Sequence, residues 1–262
     1  MLLAYMFPFY MIVINSFKTR KTIFKNPLTI SDPEGLSFQN YIDAFKQMEF
    51  IKAFMNSLII TFISLLLIIM FSSLAGWYFA REKTLASKVF FTLIMAAMVI
   101  PFQTIMIPLI SIYGAELYAL NRRSTLIFMY VGFGFSLATF IYYGFIRSGI
   151  PRSLEEAAII DGAGRYQVFF YIVFPLLKPT TATLIVLDTL WIWNDYLLPS
   201  LILGKKKLYT LPLSTYTFYG TYSADLGKLM AALVLTVLPV ILVYLRLQKQ
   251  IIEGVVSGAV KS

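Results

Sequence analysis

Residues 54–80 are FMNSLIITFISLLLIIMFSSLAGWYFA, a stretch of 27 residues without a charged side chain. About 20 consecutive apolar residues in a helix are enough to cross the hydrocarbon core of a membrane. A backbone in lipid has to satisfy its own hydrogen bonds, and this stretch lacks the alternation that strands of a membrane barrel show. It therefore predicts a transmembrane helix in an integral membrane protein.

Further apolar stretches flank this one, and together they predict an all-α polytopic membrane protein. The predicted spans are residues 1–17, 54–80, 89–113, 125–146, 180–203 and 229–247. A cleaved signal peptide is the alternative for the first span, but that stretch has neither a basic amino-terminal segment nor a small-residue cleavage site. We expect residues 1–262 to form a single transmembrane domain with six helices.

The composition excludes most classes of enzyme. Hydrophobic residues make up 59% of the 262 residues and charged residues 13%, against about 45–50% and about 25% in soluble domains. The absence of histidine and cysteine excludes imidazole and thiolate chemistry. We predict no catalytic residues, no metal site and no cofactor bound by this chain. The net charge of +9 is typical of the loops of membrane proteins and does not predict nucleic acid binding.

The distribution of basic residues does not predict which side of the membrane each loop faces. If the amino terminus is cytoplasmic, the inner loops hold ten of the 22 lysines and arginines and the outer loops hold twelve. The positive-inside rule needs a clear excess on one side. Six spans predict only that both termini lie on the same side.

The loop at residues 147–179 is the most informative segment outside the predicted spans. It contains IPRSLEEAAIIDGAG at residues 150–164. Pro151 ends the preceding span, and Ser153 with Glu156 forms the Ser-x-x-Glu pattern of a capping box, which predicts a helix start at Ser153. Asp161 to Gly164 then predict a turn, and a second amphipathic stretch follows to Phe174.

Two interpretations of this short helix follow from the residues alone. Leu154, Ala157 and Ala158 are spaced to form an apolar stripe of mostly small side chains, which lets another protein surface approach closely. The alternative is a solvated loop helix without a partner.

The same loop, together with motifs elsewhere, resembles a known family. It is similar to the EAA loop of permease subunits of bacterial ABC importers, and the surrounding motifs are similar to the carbohydrate, maltose-permease-like branch. The motifs that carry the resemblance are Glu156-Ala157-Ala158, Asp161-Gly162-Ala163, Ile172 and Pro175, the pairs Ile100-Pro101 and Ile107-Pro108, Trp193-Asn194-Asp195-Tyr196 with Pro199, and Pro239 with the tail at residues 254–261.

The resemblance implies the type I fold of ABC importers and the import of a mono- or oligosaccharide into the cell. It places the chain in the bacterial cytoplasmic membrane with both termini and loop 147–179 in the cytoplasm. The loop would carry a coupling helix that docks on the ATPase through Glu155, Glu156, Ala157, Ala158, Asp161, Gly162 and Ala163.

The resemblance also implies a set of partners. These are a second permease subunit, an ATPase dimer that binds ATP and Mg²⁺, an extracytoplasmic sugar-binding protein, and membrane lipid. No Gly-x-x-x-x-Gly-Lys-Ser/Thr phosphate loop occurs in the chain, so we expect it to be a transport subunit and not an enzyme.

Polar residues in the fifth predicted span are candidates for the substrate pathway. Ionisable residues within membrane spans are costly and usually face a cavity or a partner. Asp188 and Asp195 lie two helical turns apart, with Trp191 and Asn194 between them. The alternative is that Asn194 and Asp195 tie the helix to its neighbours or mark its outer end.

Other functions fit parts of the sequence. A related permease for a polyol or glycerol phosphate is one alternative, but the second, third and fifth spans contain no basic residue for a phosphate. A self-sufficient channel or secondary transporter is another alternative, in which the EAA-like loop is incidental. The tyrosine-rich loop at residues 209–222 resembles the segment that meets the binding protein, with anchoring at the membrane interface as the alternative.

Overall fold

The computed structural model describes residues 2–30, 36–218 and 225–259, and it confirms an all-α chain, because its regular elements in these ranges are all helical. Side chains are described for residues 4–30, 36–218, 225–242 and 245. The α-helices are α1 (Leu2–Asn15), α2 (Arg20–Lys25), α3 (Gln39–Gln47), α4 (Phe50–Arg81), α5 (Leu85–Ala97), α6 (Phe102–Ser111), α7 (Arg123–Gly149), α8 (Arg152–Ile160), α9 (Arg165–Gln167), α10 (Phe174–Leu176), α11 (Lys178–Asn194), α12 (Leu197–Ile202), α13 (Leu211–Ser214) and α14 (Leu226–Ala259). Residues 112–116 and 168–173 form π-helical turns.

Two described helices are long and apolar enough to cross a membrane by themselves. They are α4, with 32 residues, and α7, with 27 residues. Two bent helix pairs also meet the criterion if each pair counts as one span, and shorter apolar helices occur at Ala4–Asn15 and Leu226–Leu242. Each of these six positions overlaps a predicted span, although the pair at residues 165–194 shares only residues 180–194 with the fifth. Length and composition alone support two to four crossing helices in the described part of the chain, and six spans stay a prediction.

The third predicted span, residues 89–113, is not one continuous helix. Helix α5 ends at Ala97, α6 begins at Phe102, and the two are bent by 97°. Pro101 stands at the N-cap of α6 with φ −63°. Proline lacks the amide hydrogen that a continuing helix needs, and its ring disfavours helical geometry in the residue before it. The third predicted span is therefore divided into two helices at this proline.

The fifth predicted span, residues 180–203, is also shorter as a helix than the apolar stretch suggests. Helix α11 ends at Asn194, and the chain breaks at Asp195 and Tyr196 before α12 begins. On its other side, α11 is bent by 72° from the helical stretch Arg165–Leu176. The Trp-Asn-Asp-Tyr motif thus lies at the end of a helix and in the break after it.

The chain forms two compact units. The first contains residues 1–59, 121–123 and 193–246, so far as they are described. Phe54 packs edge-on against Trp193 in its core, with 5.7 Å between the ring centroids. Other buried members of this core are Ala44, Met48, Ala53, Leu211, Phe218, Leu229, Ala231 and Ala232.

The second unit contains residues 60–120, 124–192 and 247–262, so far as they are described. Helices α4 and α7 approach closely at Gly76, where a Cβ atom would lie 2.7 Å from the Cβ of Tyr142. The hydroxyl groups of Tyr142 and Thr181 are 2.9 Å apart and link α7 to α11. Small residues at helix contacts are typical of membrane bundles, in which close packing replaces the hydrophobic effect.

Candidate functional site

The short helix α8 begins without the predicted capping box. Pro151 is the N-cap residue, with φ −61° and ψ 135°, and no side chain caps the helix start. Because the helix begins one residue before Ser153, that serine lies in the first turn and not at the cap. The prediction of Ser153 as N-cap was wrong, whereas Pro151 has the dihedral angles that a chain entering a helix needs.

The end of α8 agrees with the predicted turn at Asp161 to Gly164. Gly162 has φ +89°, a conformation that favours glycine. The amide of Ala163 donates to the carbonyl of Ala158 at 2.9 Å, and the amide of Gly162 donates to that of Ile159 at 3.0 Å. This pair of bonds is the Schellman motif, which satisfies the last carbonyls of a helix and ends it sharply.

Three aliphatic side chains of α8 are exposed. Leu154 is 46% exposed, Ile159 58% and Ile160 85%. Glu156 is also exposed and pairs with Arg152 at 3.3 Å on the same helix. Among the other predicted coupling residues, Ala157, Asp161 and Gly162 are exposed, and Ala158 and Ala163 are half-buried. A short helix with three exposed aliphatic side chains has a surface suited to another protein.

Glu155 differs from the other predicted coupling residues because its side chain is buried. One carboxylate oxygen accepts a hydrogen bond from the Trp77 indole at 2.9 Å. The other oxygen accepts from the Arg81 guanidinium at 2.7 Å. The same guanidinium donates to the carbonyl of Ile150 at 2.9 Å. Glu155 therefore faces the end of α4, and Glu156, next in sequence, faces outward.

A second contact reinforces the end of α4. Arg165, the first residue of α9, pairs with Glu82 at 3.0 Å and places its guanidinium carbon 5.5 Å from the centre of the Trp77 ring. A cleft of about 400 Å³ between these side chains also includes Arg81 and Ile159. The stretch after Asp161 is thus held to the same helix end as α8.

Sequence reasoning did not identify Trp77, Arg81, Glu82 or Arg165 as site residues. Arg81 follows directly on a long apolar stretch, where a basic residue is commonly found at a membrane boundary. Because Arg81 and Glu155 are 74 residues apart in the chain, no local pattern indicates their pairing.

The candidate substrate-path residues on α11 have different surroundings. Asp188 is only 5% exposed, and its Oδ2 atom has no hydrogen-bond partner among the described residues. Trp191 is 41% exposed and packs edge-on against Tyr130, with 5.5 Å between the ring centroids. The ring of Trp191 is therefore accessible, whereas the carboxylate of Asp188 is buried.

Asn194 and Asp195 lie where α11 ends. Asn194 is exposed, and Asp195 is half-buried. The carboxylate of Asp195 accepts a hydrogen bond from the amide of Leu197 at 2.9 Å. This contact organises the start of α12, and the side chains of both Asn194 and Tyr196 are exposed.

The described part of the tyrosine-rich loop is held to the start of α4. The Asn56 amide donates to the carbonyls of Lys207 and Tyr209, both at 3.0 Å. The hydroxyl of Ser57 accepts from the amide of Leu211 at 2.8 Å. These three bonds position residues 207–211, whereas residues 219–222 of the predicted loop lie outside the described residues.

Another polar contact in the same unit joins α3 to the start of α14. Lys228 pairs with Asp43 at 3.3 Å and with Asp225 at 3.2 Å. The pKa of Asp43 is lowered from its ordinary value, first by the hydrogen bond from Gln39 at 2.7 Å and also by Lys228. Asp43 therefore stays ionised to a lower pH than an isolated aspartate does.

The fold is that of a multi-helix membrane protein, and comparisons with known proteins agree. Residues 68–256 match the family described as "Binding-protein-dependent transport system inner membrane component". The chain belongs to this family, which confirms the resemblance stated from the sequence and identifies it as a multi-pass component of the inner membrane.

Several relatives that match this chain over almost its whole length are permease proteins of sugar transport systems. The chain is 44% identical to the probable starch degradation products transport system permease protein AmyC of Thermoanaerobacterium thermosulfurigenes, over 99% of this chain and 93% of that protein. It is 39% identical to the melibiose/raffinose/stachyose import permease protein MelC of Bacillus subtilis, over 98% and 92%. The fold is similar to that of a bacterial ABC transporter involved in alginate import, with a TM-score of 0.79 and 21% identity over 95% of this chain and 91% of that chain.

Proposed function

We propose that this chain is the transmembrane permease subunit of a binding-protein-dependent ABC importer that takes up a mono- or oligosaccharide. The similar permeases are named for starch degradation products and for melibiose, raffinose and stachyose, all of which are neutral sugars. The second, third and fifth spans contain no basic residue that would pair with a phosphate. A neutral sugar is therefore favoured over glycerol phosphate.

The observation that carries the energy-coupling part of this proposal is the exposure of three aliphatic side chains on α8. Leu154, Ile159 and Ile160 extend from a helix that lies between α7 and the stretch leading into α11. Aliphatic side chains exposed in this way are costly in water and are stabilised when a partner covers them. The proposed partner is an ATPase dimer that binds ATP and Mg²⁺, since the chain contains no phosphate-binding loop of its own.

The proposed topology has six spans, with both termini and α8 in the cytoplasm. The spans would be α1, α4, the α5–α6 pair, α7, α11 and α14. In the proposed cycle, closure of the ATPase dimer moves α8 and opens the permease towards a sugar-binding protein outside the cell, and ATP hydrolysis resets it. A second permease subunit would complete the path through the membrane.

Changes at exposed positions of α8 and of the turn that ends it are expected to separate the permease from its ATPase. Glu156→Lys reverses an exposed charge, and Gly162→Val strains the left-handed turn that ends the helix. We expect each variant to lower the amount of copurified ATPase about tenfold, because a few central contacts dominate most interfaces. Phe24→Asp changes an exposed apolar residue on α2 and serves as the control. Undiminished copurification with both α8 variants would contradict the docking proposal.

Asn194 is proposed to line the sugar path, together with the accessible ring of Trp191. Amide groups and aromatic faces suit a hydroxylated, uncharged ligand. We expect Asn194→Ala to raise the half-saturation concentration for uptake about fivefold, as the loss of one hydrogen bond implies. Ser200→Ala, in the following helix, removes a hydroxyl that bonds to the carbonyl of Leu197 and is the control. Unaltered uptake kinetics in the Asn194 variant would exclude this role.

A further inference from the structure

Adjacent acidic residues of α8 point to different surroundings. The side chain of Glu155 is 8% exposed, and that of Glu156 is 60% exposed. Neighbouring residues of an α-helix are rotated by about 100° from each other, so one helix can present one acid to a partner and the other to its own protein. Glu155 is therefore placed to contact its own protein, and Glu156 is placed to contact a partner.

The carboxylate of Glu155 joins α8 to the end of α4, and Arg81 extends this link to the junction of α7 and α8. Trp77 and Arg81 lie in the last turns of α4, and both donate to Glu155. Arg81 also donates to the carbonyl of Ile150, at the junction of α7 and α8. A displacement of α8 consequently pulls on the end of α4 through short, charge-assisted bonds, which are stronger than neutral hydrogen bonds.

The buried position makes this connection stiff. With the Arg81 side chain 13% exposed and that of Glu155 8% exposed, water does not readily replace either partner. Removing one partner of a buried ion pair leaves the other charge uncompensated, so the closed pair is strongly preferred. The Arg165–Glu82 pair is more exposed, at 58% and 37%, and is correspondingly weaker.

We infer that Glu155 is a positioning residue that transmits movement of α8 to α4 through Arg81 and Trp77 and does not itself contact the ATPase. This inference rests on the proposed docking of α8. The coupling loop then has two separate tasks. Its exposed residues attach it to the ATPase, and the buried carboxylate of Glu155 transfers the movement of α8 to α4.

The test measures attachment and transport in the same assembled complex. Glu155→Ala and Arg81→Ala are each expected to retain the copurified ATPase while lowering uptake about tenfold, a reduction typical of disrupted coupling. Glu155→Gln keeps an acceptor for Trp77 but loses the charge, and we expect an intermediate loss. The double exchange Glu155→Arg with Arg81→Glu restores opposite charges at the two positions and is expected to recover part of the uptake.

Two outcomes would overturn the inference. If Glu155→Gln, assembled and monodisperse, takes up sugar at the unaltered rate, then the carboxylate does not transmit movement. If Glu155→Gln loses the ATPase to the same extent as Glu156→Lys, then Glu155 belongs to the docking surface. Failure of the docking proposal is distinguishable, because in that case the Glu156 and Gly162 variants retain the ATPase as well.

Discussion

Replacing Gly76 by leucine is expected to prevent accumulation of the folded permease. A Cβ atom at this position would lie 2.7 Å from the Cβ of Tyr142 and 3.0 Å from the amide nitrogen of Tyr143. These are rigid parts of α7, so α4 and α7 have to move apart. Overpacking of this kind costs about 3 kcal/mol or more when backbone has to shift. The measurement is the amount of monodisperse protein extracted from membranes.

Two glycines of α7 provide matched comparisons for Gly76. At Gly144 no atom lies within 4 Å of a built Cβ, so Gly144→Leu is expected to accumulate normally. At Gly134 the nearest atom is the flexible end of Ile68, at 2.7 Å, so Gly134→Ala is expected to have a smaller effect than a clash with backbone. Equal accumulation of the Gly76 and Gly144 leucine variants would contradict the close approach of α4 and α7.

Replacing Asn56 by leucine is expected to release residues 207–211 from the start of α4. The Asn56 amide is buried and donates to the carbonyls of Lys207 and Tyr209. Leucine has a similar size but leaves both carbonyls unpaired, which lowers the free energy of unfolding by about 2–4 kcal/mol. Thermal unfolding of the purified permease measures this loss directly.

A second variant, which removes a single hydrogen bond, distinguishes the loss of hydrogen bonds from a distortion of α4. Ser57→Ala removes one acceptor, which serves the amide of Leu211, so its loss of stability is expected to be about half as large. Because this loop is proposed to face the sugar-binding protein, both variants should also reduce uptake. If Asn56→Leu unfolds at the same temperature as the unaltered protein, then the two carbonyl contacts do not stabilise the loop.

Two of the uncharged stretches coincide with long helices, but the apolar stretches did not predict where other helices break. The uncharged stretch at 54–80 lies within α4, and the stretch at 125–146 lies within α7. The stretch at 89–113 also met the length requirement, yet Pro101 separates two helices that are bent by 97°. Hydropathy reports only the preference for lipid, whereas a missing amide hydrogen changes the direction of the backbone.

Glu155 and Glu156 likewise show which features depend on neighbours in sequence and which depend on distant residues. The pattern of residues 150–164 predicted a short helix and its glycine turn, since both depend on neighbours in sequence. It did not predict that Glu155 is buried and Glu156 exposed, because the choice depends on Trp77 and Arg81 at the end of another helix.

The membrane class, the family, the approximate helices and the short helix after Pro151 could all be predicted from the amino-acid sequence. Each of these follows from hydropathy, local turn chemistry or ordered motifs within the chain. Only the tertiary structure decided that Glu155 binds Arg81, that Asp188 is buried, and that Gly76 lies against Tyr142. The physical reason is that burial and pairing depend on which helix faces which, and this arises when residues distant in sequence pack together.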